Sequence, residues 1–165
     1  MLTAVWELVT TSIKMKTLFL TALLSLSLWD VKAQNITKME TLQKEDSLVI
    51  SEKLENSYFK SIYEGDVNTL GRVFYSGALL FGDVKGQPYK KTLAEYLDGV
   101  AHRQSPKDSG KPFKGEIISV KVVNSIAIAE VKVTMYDFVY HEFLSFHKMD
   151  GQWYLVNKMI SDTAN

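Results

Sequence analysis

The second half of the chain alternates apolar and polar positions in four runs: Glu116–Val123, Ile126–Tyr136, Val139–Met149 and Gln152–Ile160. A period of two predicts half-buried strands, and Asp150-Gly151 between the last two is a strong two-residue hairpin signal. The first half has a different rhythm. Ile50, Leu54, Tyr58, Phe59 and Ile62 recur at threes and fours between Asp46 and Glu64, which predicts one apolar face of a helix. Gly65 supplies a left-handed stop, and Asp66 can cap a short second helix through about Val73. Ala78–Gly82 and Gln87–Tyr89 read as short strands around the turn Asp83-Val84-Lys85-Gly86. Thr92 and Glu95 form a capping box that opens a third helix to about Arg103. Gln104–Gly115, with Pro106, Gly110 and Pro112, reads as a loop. Three helices and a small hairpin followed by a four-strand antiparallel meander make an α+β fold, helices gathered on one side of the sheet.

Hairpin geometry then assigns the faces, because paired residues share a side of the sheet. A turn at Asp150-Gly151 sets Phe146 opposite Leu155, Leu144 opposite Asn157 and Glu142 opposite Met159. A turn at Asp137-Phe138 sets Tyr140 opposite Met135 and Glu142 opposite Val133. A turn at Asn124-Ser125 sets Val122 opposite Ala127 and Val120 opposite Ala129. The three agree on an inner face holding Ile118, Val120, Val122, Ala127, Ala129, Val131, Val133, Met135, Tyr140, Leu144, Phe146, Trp153, Leu155 and Met159. Lys121, Glu130, Lys132, His141 and Lys158 fall outside. Glu142 and Asn157 break the inner pattern on adjacent strands, and polar groups on an apolar face need partners or a cavity. They read equally as a structural pair, satisfied by helix-end backbone or by Lys or Arg from a neighbouring loop, and as the polar anchors of a site.

The outward face carries Ile117, Val123, Ile128, Tyr136, Phe143, Tyr154, Val156 and Ile160, more apolar than solvent favours. Its expected cover is a second copy of the chain, meeting through Phe143, Tyr154, Val156 and Ile128. The N-terminal lead-in or the C-terminal tail is the alternative cover.

Residues 1–33 have another character. Met15-Lys16-Thr17 leads into an apolar run from Leu18 to Trp29, and Val31-Lys32-Ala33 precedes Gln34. A basic start, about a dozen apolar residues and small residues before the junction describe a secretory signal peptide cut after Ala33, with Met15 the better start. The run is shorter than the roughly 20 residues that span a bilayer. Export to the periplasm or medium is therefore expected, with no stable membrane anchor after cleavage. Residues 34–45 read as a loose lead-in, and 46–165 as one domain. The 165 residues balance 19 Lys and Arg against 19 Asp and Glu, so nothing marks a nucleic-acid partner. The absence of cysteine excludes disulfides, thiolate nucleophiles and cysteine-held metals.

The stretch from Tyr58 to Ile160 resembles the bacterial "putative lumazine-binding" family of the nuclear transport factor 2-like superfamily. The residues that carry the likeness are Tyr63-Glu64-Gly65-Asp66, Arg103-Gln104-Ser105-Pro106, Glu142-Phe143-Leu144-Ser145-Phe146 and the run from Asp150-Gly151-Gln152-Trp153 to Asn157-Lys158. Glu142 stands where the family mostly has Asp. The resemblance implies a cone of three helices wrapped by a curved antiparallel sheet, a pocket between them and commonly a homodimer.

If that pocket exists, its expected walls are Tyr58, Ile62, Tyr96, Val133, Met135, Tyr140, Leu144 and Trp153, with Glu142 and Asn157 as anchors. Such walls suit a small, partly apolar molecule and equally an ordinary core. The first functional expectation is a dimeric binding protein. The alternatives are an isomerase or dehydratase with Glu142 as general base, and a pocketless dimeric scaffold. Arg103 can reach an anionic ligand or cap the carbonyls of its own helix. His102 is a candidate for the pocket rim, although a solvated helix end accounts for it as well. His141 and His147 point outward about 20 Å apart, too far to share a metal. No phosphate loop, Gly-x-Ser-x-Gly or His-Glu-x-x-His occurs, and neither cofactor nor metal is expected.

Overall fold

The computed structural model describes residues 37–164, so the signal peptide and the 1–33 boundary lie outside the described residues. Two units are distinct, one ending at Leu42 and one beginning at Gln43. In the first, residues 37–42 are helical, so the expected loose lead-in is helix from residue 37. The second unit carries the fold. Among the described residues no helix is long and apolar enough to cross a membrane.

Helix α1, residues 43–64, buries the apolar face its spacing predicts: Ile50, Leu54, Tyr58, Phe59 and Ile62. Its middle, Leu54–Phe59, is a π-helix. Tyr58 and Phe59 both lie in that wider turn and are buried. Gly65 ends the helix at φ 73°, and the Asp66 side chain accepts from the Asn68 and Thr69 amides to start α2, Val67–Val73. Strands β1, Phe74–Val84, and β2, Gln87–Thr92, are longer than predicted. Their turn contracts to Lys85-Gly86, at φ 53° and 71°. Thr92 and Glu95 form both halves of the capping box on α3, Leu93–His102. The expected loop contains one short helix, α4, Pro106–Ser109.

Strands β3 (Phe113–Val123), β4 (Ile126–Met135), β5 (Phe138–Met149) and β6 (Gln152–Asp162) follow. They form the predicted meander and join the hairpin in one sheet of order β2-β1-β6-β5-β4-β3. The β1–β6 pairing is parallel and the rest antiparallel. The sheet is curved and not closed into a barrel. The helix bearing Phe59 sits hard against it, since a Cβ at Gly115 would stand 2.4 Å from the Phe59 ring. At the parallel seam Gly82 has φ 151°, and a Cβ there would meet the Ile160 carbonyl oxygen at 1.7 Å.

Two irregularities overturn part of the face assignment. On β6 the pairing runs Met149–Gln152 to Phe146–Leu155 as predicted, then resumes at Ser145–Asn157, leaving Val156 as an extra residue. Beyond this bulge every side chain changes sides. Asn157 and Met159, expected inside, turn outward; Met159 is 53% exposed, whereas Lys158 and Ile160 turn in and are buried. A second bulge on β3 leaves Ile118 unpaired between Ile117–Val131 and Ser119–Glu130. Ile118 is accordingly 52% exposed and Ile117 packs on the core. The third turn lies at Tyr136-Asp137, so Tyr140 opposes Val133 and Glu142 opposes Val131. That shift is two residues, which preserves the faces.

Asp46 on α1 ties the helix to the β5–β6 hairpin. Its Oδ1 accepts from Lys148 Nζ at 2.7 Å and Trp153 Nε1 at 2.9 Å. Partial burial pushes this carboxyl up, but the two hydrogen bonds and the lysine's charge together hold it below its ordinary 3.8. A depressed carboxyl stabilises the fold above its unfolded pKa, and the contribution vanishes as pH falls through the folded value. Asp46→Ala should therefore cost about 1–3 kcal/mol near neutrality, with a gap to wild type that closes below 3.8. Urea titrations across pH check this, and a gap persisting in acid would refute it.

Candidate functional site

The bulge at Val156 delivers a lysine to the interior opposite a glutamate. Glu142 on β5 pairs with Ile160, and Leu144 pairs with Lys158, so the two charged residues are diagonal neighbours on the inner face. Lys158 Nζ lies 2.6 Å from Glu142 Oε1. The π-helical stretch of α1 adds Tyr58, whose hydroxyl donates to Glu142 Oε2 at 2.7 Å and accepts from Lys158 Nζ at 2.7 Å. Glu142 is 1% exposed and Lys158 3%. The ammonium also lies 5.3 Å from the centre of the Tyr96 ring, a cation–π contact.

Each member satisfies the others. A carboxylate or ammonium alone in this core would cost several kcal/mol, and here both carboxylate oxygens are engaged. Burial, then the Glu142 charge, push the Tyr58 hydroxyl well above the ordinary tyrosine range. Tyr58 therefore stays a neutral donor. Tyr96 is raised by the same two causes in the same order.

Beside the triad is a cavity of about 70 Å³. Helix α1 contributes Ile62, α3 contributes Tyr96, and the hairpin contributes Val84 and Tyr89. The sheet supplies Val133, Met135, Tyr140 and Ile160, and the charged lining is Glu142, Lys158 and Arg103. Arg103 follows the last turn of α3 with extended backbone, φ −92° and ψ 150°. Its Nε and Nη2 are closed off from solvent and make no hydrogen bond. Those nitrogens do not cap the helix carbonyls.

Of the residues predicted for the pocket, Ile62, Tyr96, Val133, Met135, Tyr140 and Glu142 line this cavity. Tyr58 stands behind Glu142 as part of the triad. Leu144 and Trp153 are fully buried core residues outside the lining. Asn157 is not an anchor: the bulge turns it away, and its Nδ2 donates to the Leu79 carbonyl at 2.9 Å. Lys158 takes the inner place that regular alternation gave to Asn157. Sequence reasoning missed it, although an inward carboxylate calls for a cation. His141 bonds Glu130 at 2.9 Å on the outer face, and His102 pairs with Asp98 on the surface of α3. Among the described residues no group of three or more His, Cys, Asp or Glu could hold a metal ion.

The triad makes a sharp thermodynamic prediction. Glu142→Leu and Lys158→Met should each cost about 3–5 kcal/mol by stranding the other charge. The double variant should cost much less than their sum. Urea unfolding of all four proteins checks this, and additive losses would refute the coupling.

The pattern of the family described as "putative lumazine-binding" matches residues 46–161. Several solved structures share the fold. An NTF2-like protein of unknown function from Silicibacter pomeroyi is 21% identical with a TM-score of 0.64, over 72% of this chain and 97% of its own. One from Shewanella baltica is 22% identical with a TM-score of 0.64, over 73% and 96%. One from Methylobacillus flagellatus is 23% identical with a TM-score of 0.65, over 73% and 94%. At such identities the likeness concerns the fold. No curated protein matches the chain.

Proposed function

The chain belongs to the "putative lumazine-binding" family, and from that premise we propose that it is an exported, homodimeric protein that holds a small molecule in the cavity beside the Glu142–Lys158–Tyr58 triad. The observation that carries the binding reading is the cavity itself. Apolar walls surround a few convergent polar groups, the composition of a small-molecule site.

Size limits the ligand. The cavity has about 70 Å³, against roughly 300–1,000 Å³ for pockets that take drug-sized molecules. A two-ring compound such as lumazine would need Tyr89, Tyr140 or the β1–β2 hairpin to move. A molecule of a few heavy atoms fits as the walls stand. The engagement of Glu142 weighs against its acting as general base: to take a substrate proton it would first have to give up Lys158 or Tyr58.

Two further parts of the reading rest on separate observations. Export is supported by the basic, apolar and small-residue succession of residues 15–33. Dimerisation is supported by the outer face of the sheet, where Val123, Ile126, Ile128 and Phe143 are exposed. An open apolar groove of about 960 Å³ runs there, with Tyr75, Ile128 and Val156 among its lining. A second copy suits this face because one self-complementary patch covers both surfaces at once. Tyr154 and Phe143, expected in the same contact, lie outside the groove lining: the Tyr154 ring is 5.6 Å from Lys53 Nζ, and Phe143 is exposed farther along the same face.

Native mass spectrometry of the protein isolated from the exported fraction tests the binding, export and dimer readings together. The expected species is a dimer that retains a small molecule, and an empty monomer would overturn binding and dimer alike. Phe143→Glu should halve the mass seen by light scattering, and an unchanged mass would reject a dimer through this face.

A further inference from the structure

Resting on the binding reading above, we infer that the cavity selects a small monocarboxylate, which Arg103 grips through the Nε–Nη2 edge of its guanidinium. The first argument is charge. Lys158 and Glu142 cancel in a 2.6 Å pair, and among the described residues Arg103 has no ion-pair partner within 4 Å. The tyrosines that share the lining do not supply the missing anion. Burial is the leading cause that raises Tyr89, Tyr96 and Tyr140, and Arg103's charge, although it pulls each down, does not reverse the shift. The cavity thus carries one uncompensated positive charge, the complement of a monoanion.

The second argument is geometry. The two donors without partners, Nε and Nη2, are buried together and closed even to a water molecule, so the Arg103 side chain must turn to present that edge to the cavity it lines. They share one edge of the planar group, and their parallel N–H bonds match the two oxygens of a carboxylate. Two buried donors left unmade are costly, so the site gains most from an acceptor that fills both. The third argument is the rest of the lining. Ile62, Val133, Met135 and Ile160 suit a short alkyl tail, and a single uncompensated charge falls one short of a dianion such as phosphate. The volume holds such a molecule and little more.

The test is a ligand-observed NMR titration of the purified full chain with acetate, its neutral isostere acetamide, and inorganic phosphate. Acetate should bind at millimolar concentration, with acetamide and phosphate roughly tenfold weaker or more, the share of a charge-assisted pair. Arg103→Met, which keeps length and removes charge, should abolish the preference. Arg103→Lys keeps the charge without the paired edge and should lose about tenfold, and it decides the matter should the methionine variant fail to fold. Acetate should also raise the wild-type melting temperature and leave that of Arg103→Met unchanged. Unaltered acetate binding in a folded Arg103→Met or Arg103→Lys protein would overturn the inference. Acetamide or phosphate binding as well as acetate would overturn the carboxylate while leaving the cavity a binding site. No binding of any of the three would overturn the carboxylate inference, while the binding reading is decided by the mass that the isolated protein retains.

Discussion

A carboxylate at position 142 on the concave face of the sheet sets a constraint that three elements answer together. β5 points Glu142 inward by simple alternation, and nothing in β5 can neutralise it. β6 neutralises it by inserting Val156, which rotates Lys158 into the interior. Helix α1 contributes through its π-helical turn, which brings Tyr58 to both charges. Remove the bulge and Asn157 replaces Lys158, leaving the carboxylate without a counter-charge. Straighten the π turn and the hydroxyl between the charges is displaced. Two departures from regular secondary structure, far apart in sequence, answer one electrostatic requirement.

Such an arrangement is a poor way to gain stability, because hydrophobic residues of similar volume often do as well or better. Its stronger effect is on specificity. A one-residue slip between β5 and β6 would bury other side chains in place of Lys158, with one charge stranded. Docking α1 one turn away would do the same to the carboxylate oxygen that Tyr58 satisfies. The register of the sheet and the seat of the helix are therefore fixed by the same three side chains. The close approach of Phe59 to Gly115 and of Gly82 to the Ile160 carbonyl then fixes the depth.

Much of this was legible in the sequence. Caps and stops are local chemistry, so Asp66, Thr92, Glu95 and Gly65 marked helix ends that the structure keeps. β4 alternates without interruption, and Ala127, Ala129, Val131, Val133 and Met135 are all buried as alternation requires. The bulges were not legible, because a strand reads the same before and after an inserted residue. The one at Val156 coincides with an irregularity in the pairing of β6 with β1, between Phe74 and Leu79, some eighty residues upstream. The turn at Tyr136 likewise involves residues distant in sequence. A tyrosine at φ 56° is not a turn signal; its hydroxyl donates to the Gln104 carbonyl and its amide to that of Pro112, both in the preceding loop. Arg103 stood out as a residue with two possible tasks, and choosing between them needed the positions of its nitrogens.

The division of labour between the two cations follows from their chemistry. A lysine ammonium is a compact charge that accepts partners from several directions, and Lys158 uses that freedom to meet a carboxylate, a phenol and an aromatic face. An arginine presents a flat fork whose donors must be met in a plane, and nothing around Arg103 meets the Nε–Nη2 edge. Exchanging the two would leave the triad with donors it cannot use and the cavity with a charge that has no directional preference. Because Lys158 is already neutralised, Arg103 alone sets the sign of the cavity. Because Glu142 is already engaged, it neither competes for that guanidinium nor repels an incoming anion at full strength. The polar core thus does more than hold the cone together: by closing on itself, it leaves a single open valence in the cavity, and that valence is positive.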